Sequence, residues 1–230
     1  MALLRQKIPE KVREKLEKAF CKAFEAVFEY GDDIIEKSYA RDREKRRFMA
    51  RDLNFIMDGD SKSLRGIENS GSLSDWANTV LTTVEGVGLG ALGVGIPDII
   101  LFVAMLLRGV REAAAQYGRH PDSDSEKILT LCLLETVMLS GAEWERADSR
   151  VEQMLSGAEI IPVNPQAAEV QLRRTAAAFA TDLLVLKFIQ GLPVVGLVGG
   201  FSNPVYYRRV MSYVRLKYER RYILDAMGRS

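Results

Sequence analysis

The chain has 230 residues, of which 47% are hydrophobic and 27% are charged, and its formal net charge is +1. This length and apolar content allow a sizeable core in one large domain or two small ones. The single histidine, His120, excludes a histidine-based catalytic triad and a multi-histidine metal site.

The N-terminal part of the chain predicts two charged amphipathic helices that pack on a core. Over residues 9–29, apolar side chains recur at helical spacing, and Lys and Glu occupy the opposite face. A second, highly charged helix is predicted over residues 32–56, after a break at Gly31. We therefore assign residues 1–60 to an N-terminal helical region and residues 61–230 to the main helical domain.

A glycine-dense apolar segment between Glu85 and Asp98 is the most unusual feature of the middle of the chain, and a second one lies between Lys187 and Asn203. Glycine removes side-chain bulk, so these segments predict close backbone contact, a pocket lined by main chain, or contact with lipid. Their glycines are Gly86, Gly88, Gly90, Gly93, Gly95, Gly191, Gly196, Gly199 and Gly200.

Capping residues and prolines predict five further helices. These cover residues 72–84, 97–117, 123 to at least Ala142 with Leu155 as an alternative end, 166–190 and 204–227. Gly118 supplies a C-terminal stop, and Asn203 before Pro204 is a helix cap. No segment shows the alternation of a strand. We predict an all-α fold, a single helical-bundle-like domain with two glycine-rich helix-to-helix connections.

Neither glycine segment predicts a nucleotide site or a membrane span. Residues 88–93 match the pattern G-x-G-x-x-G, but a predicted helix precedes them where a dinucleotide site needs a strand. Both apolar segments are also interrupted by charged, polar or proline residues, namely Pro97, Asp98, Lys187, Gln190 and Pro193.

Glu85, Asp98 and Lys187 are candidates for a functional or buried ion pair. Lys187 stands alone among apolar residues, so it either extends to solvent or is buried with a carboxylate. A pair of Lys187 with Asp98 or with Glu85 would join the two glycine segments. In the alternative interpretation, Asp98 only stabilises the positive end of its helix.

The final helix is basic and rich in tyrosine. There are ten acidic and three basic residues from Asp122 to Glu169, but seven basic and two acidic residues from Pro204 to Ser230, which suggests one acidic and one basic face. The basic helix is either a solvated face or a surface for anionic lipid headgroups. Nucleic acid is disfavoured because the whole chain is nearly neutral. The candidate anion-binding residues are Arg208, Arg209, Arg215, Arg220 and Arg221.

Two blocks of sequence resemble the EcsC family. The first ends in Pro97-Asp98 and continues to Gln116-Tyr117-Gly118, and the second runs from Lys187 to Asn203 and is followed by Tyr207-Arg-Arg209. The likeness covers roughly residues 64–224. It implies a bacterial protein of mainly helical fold, in a family named for a gene adjacent to an ABC transporter. It implies no mechanism and no catalytic residues.

These observations support three functional hypotheses. The first is a membrane-associated or lipid-binding accessory protein without catalytic activity, cytoplasmic and peripheral at the inner face of the cell membrane, with reduced cysteines. The second is a hydrolase that uses Glu85, Asp98 and Lys187 above glycine-rich backbone. The third is a self-assembling scaffold. We expect no cofactor and no metal. The expected partners are an anionic membrane surface or lipid, a membrane protein, or a second copy of the chain.

Overall fold

A computed structural model describes residues 9–30, 96–119, 123–158, 161, 164–189 and 204–229. All regular elements in these ranges are α-helices, which confirms the predicted all-α fold. They are α1 (Glu10–Tyr30), α2 (Ile96–Gln116), α3 (Asp124–Met138), α4 (Ala142–Leu155), α5 (Pro165–Ile189) and α6 (Pro204–Arg229). The helices predicted over residues 32–56 and 72–84 lie outside the described residues.

Local sequence explains several of the helix ends. The Ser123 side chain accepts a hydrogen bond from the Glu126 amide at 3.3 Å, which is the predicted cap of α3. The Asn164 side chain accepts one from the Ala167 amide at 2.8 Å and caps α5 in the same way. Gly118 has a φ of 73° after the end of α2. The Arg119 amide then reaches the Ala114 carbonyl at 2.9 Å, as expected for a glycine-terminated helix.

The prediction of one continuous helix from residue 123 to at least Ala142 is wrong. The helix ends at Met138, and α4 begins at Ala142. Gly141 has a φ of 60°, a backbone conformation that residues with a Cβ rarely adopt, so the chain changes direction there. The physical reason is that Ser140-Gly141 favours a turn over continued helix.

Five of the six helices in the described part of the chain are joined in a closed cycle of contacts. Helix α1 packs on α2 and α5, α2 packs on α6, α6 packs on α3, and α3 packs on α5. Helix α4 lies against α3. The N-terminal helix therefore contributes to the same hydrophobic cluster as the helices of the main domain.

The core between α1, α2 and α5 is built on aromatic side chains. The Phe179 ring of α5 lies 5.4 Å from the ring of Phe20 and 5.8 Å from that of Phe24, measured between centroids. It also lies 6.2 Å from the Phe102 ring of α2 in an edge-to-face arrangement. Such aromatic pairs add about 0.5–1.5 kcal/mol each beyond the area that they bury. The amphipathic pattern predicted for residues 9–29 is confirmed by this packing.

Candidate functional site

Helix α6 has two faces of different chemistry. Its inner face is an apolar stripe at helical spacing that packs towards α2 and α3. The buried members are Val210, Met211, Val214, Tyr218 and Tyr222. Charged side chains border this stripe, so the surroundings of each charge decide whether α6 can bind anything outside the chain.

Lys217 is buried and joins α6 to α4. Its ammonium lies 2.6 Å from the Asp148 carboxylate and 2.5 Å from the Glu152 carboxylate. The Tyr213 hydroxyl donates a hydrogen bond to Asp148 at 2.7 Å. Burial, and then the bond to this carboxylate, raises the pKa of Tyr213 above its ordinary value, so the phenol keeps its proton and remains a donor. Arg220 completes the group at 2.5 Å from Glu152.

Glu126 forms a second buried contact, between α3 and α6. Its carboxylate accepts a hydrogen bond from the Tyr218 hydroxyl at 3.1 Å and pairs with Arg221. Burial, and then the charge of Glu126, raises the pKa of Tyr218 well above its usual range. Arg221 and Tyr218 therefore stabilise a carboxylate that would be costly to bury alone.

Arg209 binds the C-terminal end of α3. It donates a hydrogen bond to the Val137 carbonyl at 2.7 Å, one of the last carbonyls of that helix, and lies 3.7 Å from Asp182 of α5. A cation at a helix C-terminus stabilises the negative end of the helix dipole. Arg209 is thus a structural contact between three helices.

The outer face of α6 combines exposed apolar side chains with exposed arginines. Leu216 is 58% exposed and Met227 is 69% exposed. These two and Ile223 follow one line along the helix, since they are seven and four residues apart. Leu224, which is 37% exposed, lies beside them. We define this outer face by Leu216, Ile223, Leu224 and Met227, together with the exposed arginines Arg208, Arg215 and Arg220.

The five arginines singled out from the sequence therefore differ in their surroundings. Arg209, Arg220 and Arg221 contact groups of α3, α4 or α5. Arg208 and Arg215 lie on the exposed side of α6. The separate acidic and basic faces suggested by the charge distribution are wrong in part, because Glu126, Asp148 and Glu152 lie against the basic helix.

The other predicted site residues are not brought together by the described structure. Glu85, Asn203 and all nine glycines of the two segments lie outside the described residues. Asp98 lies in α2 and Lys187 lies in α5, but their side chains are outside the described part. The ion pair between them, and the hydrolase hypothesis that uses it, stay predictions.

The sequence interpretation missed the apolar line on the outer face of α6. The signal is present in the sequence, since Leu216, Ile223 and Met227 recur at helical spacing on the side opposite to Val210, Val214 and Tyr218.

Two other properties bear on function. No helix in the described ranges is long and apolar enough to cross a membrane. Among the residues with described positions, no group of His, Cys, Asp and Glu side chains could hold a metal ion. Cys21 and Cys132 are free thiols, and burial raises the pKa of Cys21 to about 11.

Comparison with known proteins gives one result. Residues 1–223 match the family model described as the EcsC protein family, and this match includes the first sixty residues. No curated protein and no solved structure matches the chain significantly.

Proposed function

The chain belongs to the EcsC protein family, and from this premise we propose that it is a peripheral accessory protein that binds an anionic membrane surface through the outer face of α6. The observation that carries the proposal is the line formed by the exposed Leu216 and Met227 with the partly buried Ile223 between them. The exposed arginines Arg208, Arg215 and Arg220 lie on the same face. The family name, taken from a gene adjacent to an ABC transporter, is consistent with a role at a membrane.

The physical basis is that of an interfacial helix. Apolar side chains enter the boundary between headgroups and acyl chains, while arginines at the edges of the face contact lipid phosphates. Full burial of a Leu or Met side chain contributes about 1.5–3 kcal/mol, and each Arg near an anionic surface adds about 1 kcal/mol. Leu216 and Met227 expose enough apolar surface to gain free energy by burial in the bilayer. Arg208 and Arg215 supply the attraction to anionic headgroups.

The inner face of α6 supports the same assignment. Lys217, Arg221 and the buried apolar stripe hold the helix on α2, α3 and α4. A bilayer could therefore be contacted without unfolding the bundle. We place this surface at the inner face of the cell membrane, because anionic lipids give the cytoplasmic leaflet a negative potential.

Co-sedimentation with vesicles tests the proposal. The native protein should pellet with vesicles of phosphatidylglycerol and phosphatidylcholine but not with phosphatidylcholine alone, and high salt should weaken the binding. The double variant Leu216→Ser/Met227→Ser should bind at least about tenfold more weakly, because it removes apolar burial. Arg208→Gln/Arg215→Gln should also bind more weakly and depend less on salt.

Two matched controls come from α5. Val170 is 58% exposed, as Leu216 is, so Val170→Ser controls for the loss of an exposed apolar side chain. Arg173 is exposed and pairs with Glu169 at 2.7 Å, so Arg173→Gln controls for the loss of a surface cation. The proposal is wrong if the protein stays in solution at both salt concentrations, or if the controls weaken binding as much as the α6 variants do.

A further inference from the structure

A cleft of about 480 Å³ lies between the C-terminal end of α3, the first half of α4 and the middle of α5. It is separate from the outer face of α6, and a cleft of this size accommodates a small organic ligand. Three arginines line it, Arg146 and Arg150 from α4 and Arg174 from α5, together with Glu135 and Glu143. Positive side chains therefore outnumber negative ones.

A buried polar chain orients two of these arginines. Glu135 is buried, accepts a hydrogen bond from the Gln171 amide at 2.6 Å and lies 3.3 Å from the Arg174 guanidinium. The Gln171 oxygen in turn accepts a hydrogen bond from Arg150 at 3.3 Å. Gln171 is buried as well. This chain holds guanidinium groups from two different helices at one cleft, which is the fixed arrangement that a binding site needs.

The third arginine, Arg146, takes no part in these buried hydrogen bonds. Arg146 lies one helical turn before Arg150, so both project from the same side of α4. Its side chain is exposed and lines the cleft. Within the part of the chain that the structure describes, Arg146 makes no ion pair. A network that served only to hold α3, α4 and α5 together would not require it.

The N-terminal end of α4 presents backbone amides beside the cleft, and Glu143 and Glu145 in its first turn offset part of their positive charge. Gly141 occupies the capping position and offers no side-chain oxygen to the first amides of the helix. The cleft is lined by Leu139 and Glu143 on either side of this end. Amides at a helix N-terminus favour an anion, as the partial positive charge of the helix does. Apolar contact is available at the same place from the partly exposed Leu139, Ala147 and Ala177.

We propose that this cleft binds a phosphate monoester with a short apolar or glycerol-like group. The planar guanidinium groups match the oxygens of a phosphate, and such charge-assisted hydrogen bonds are among the strongest in proteins. The carbon part of the ligand packs on Ala147 and Ala177. This inference does not depend on membrane binding by α6, since the cleft is formed by other side chains.

Isothermal titration calorimetry with sn-glycerol 3-phosphate, in phosphate-free buffer and without vesicles, tests the inference. The native protein should bind the ester, and Arg146→Gln should bind it about tenfold or more weakly. Because Arg146 is exposed, this variant should keep the melting temperature of the native protein without ligand. Arg173→Gln is the matched control, since Arg173 adjoins Arg174 in sequence but pairs with Glu169 on the surface.

A second titration identifies the source of the phosphate. Dihexanoyl phosphatidic acid below its micellar concentration carries the same phosphate monoester on a lipid. Tighter binding of this lipid than of glycerol 3-phosphate would assign the cleft to a lipid headgroup, and equal binding would assign it to a soluble ester. The inference is overturned if neither compound binds at millimolar concentration, or if Arg146→Gln and Arg173→Gln have the same effect.

Discussion

Lys217 is the most constrained charge on α6. Its side chain is 7% exposed, whereas those of Asp148 and Glu152 are 21% and 26% exposed. An ammonium in this position is stable only because two carboxylates and the Tyr213 ring surround it. The contact attaches α4 to α6, although the two helices are far apart in sequence.

Replacement of Lys217 by methionine tests this contact. Lys217→Met should lower the free energy of unfolding by about 2–4 kcal/mol, since it leaves the partly buried Asp148 without a cation and Glu152 with Arg220 alone. Urea denaturation measures the change, and hydrogen exchange should increase most in α4. Lys15→Met on the exposed side of α1 is the control. Equal stability of the two variants would contradict a structural role for Lys217.

Single residues differ in how well the sequence predicts their surroundings. The capping role of Ser123 follows from its own sequence neighbours, and the structure confirms it. The burial of Lys217 and the pairing of Arg221 with Glu126 could not be predicted in this way. They depend on acids from α3 and α4, and sequence spacing does not show which helices meet.

At the scale of elements, α2 and α6 approach closely at Gly109. A Cβ atom at this position would lie 2.6 Å from the Tyr207 hydroxyl and 2.8 Å from the Met211 sulfur. Glycine lowers helix propensity by about 1 kcal/mol relative to alanine. The close contact with α6 compensates for this cost, and Tyr207 and Met211 can occupy the space that a side chain would fill.

A larger residue at Gly109 should separate the two helices. Gly109→Leu should lower the free energy of unfolding by about 1–3 kcal/mol through overpacking. At Gly228 of α6, a Cβ atom would meet no other atom within 4 Å, so Gly228→Leu is the matched control. Thermal and urea denaturation of both variants provide the measurement. A Gly109→Leu protein as stable as the Gly228→Leu protein would show that the helices are not closely packed there.

The helices themselves follow well from the sequence. The predicted bounds of α1, α2, α5 and α6 agree with the structure within one or two residues, because caps, prolines and apolar periodicity are local signals. The break at Gly141 was missed because the polar residues after it continue a helical pattern. Ser140-Gly141 carried the necessary signal, but it is also compatible with one long helix.

At the scale of the whole molecule, the cycle of helix contacts explains why α6 has an outer face. Its inner stripe is covered by α2 and α3, and its charged border is paired with α3 and α4. An all-α fold could be predicted from periodicity alone. The cycle of helix contacts could not be predicted from the sequence, because it depends on which apolar stripes pack together. Many pairings of such stripes are compatible with one sequence.

A spin label that reports its depth in the bilayer tests the central claim most directly. Labels are placed at Met227→Cys on α6 or at Val170→Cys on α5, with Cys21 and Cys132 replaced by alanine. Collision rates with oxygen and with a water-soluble nickel chelate are measured on phosphatidylglycerol-containing vesicles. We predict that the label at residue 227 gains exposure to oxygen and loses exposure to the chelate, while the label at residue 170 stays in water. A label at residue 227 that remains in water on vesicle-bound protein would contradict the account.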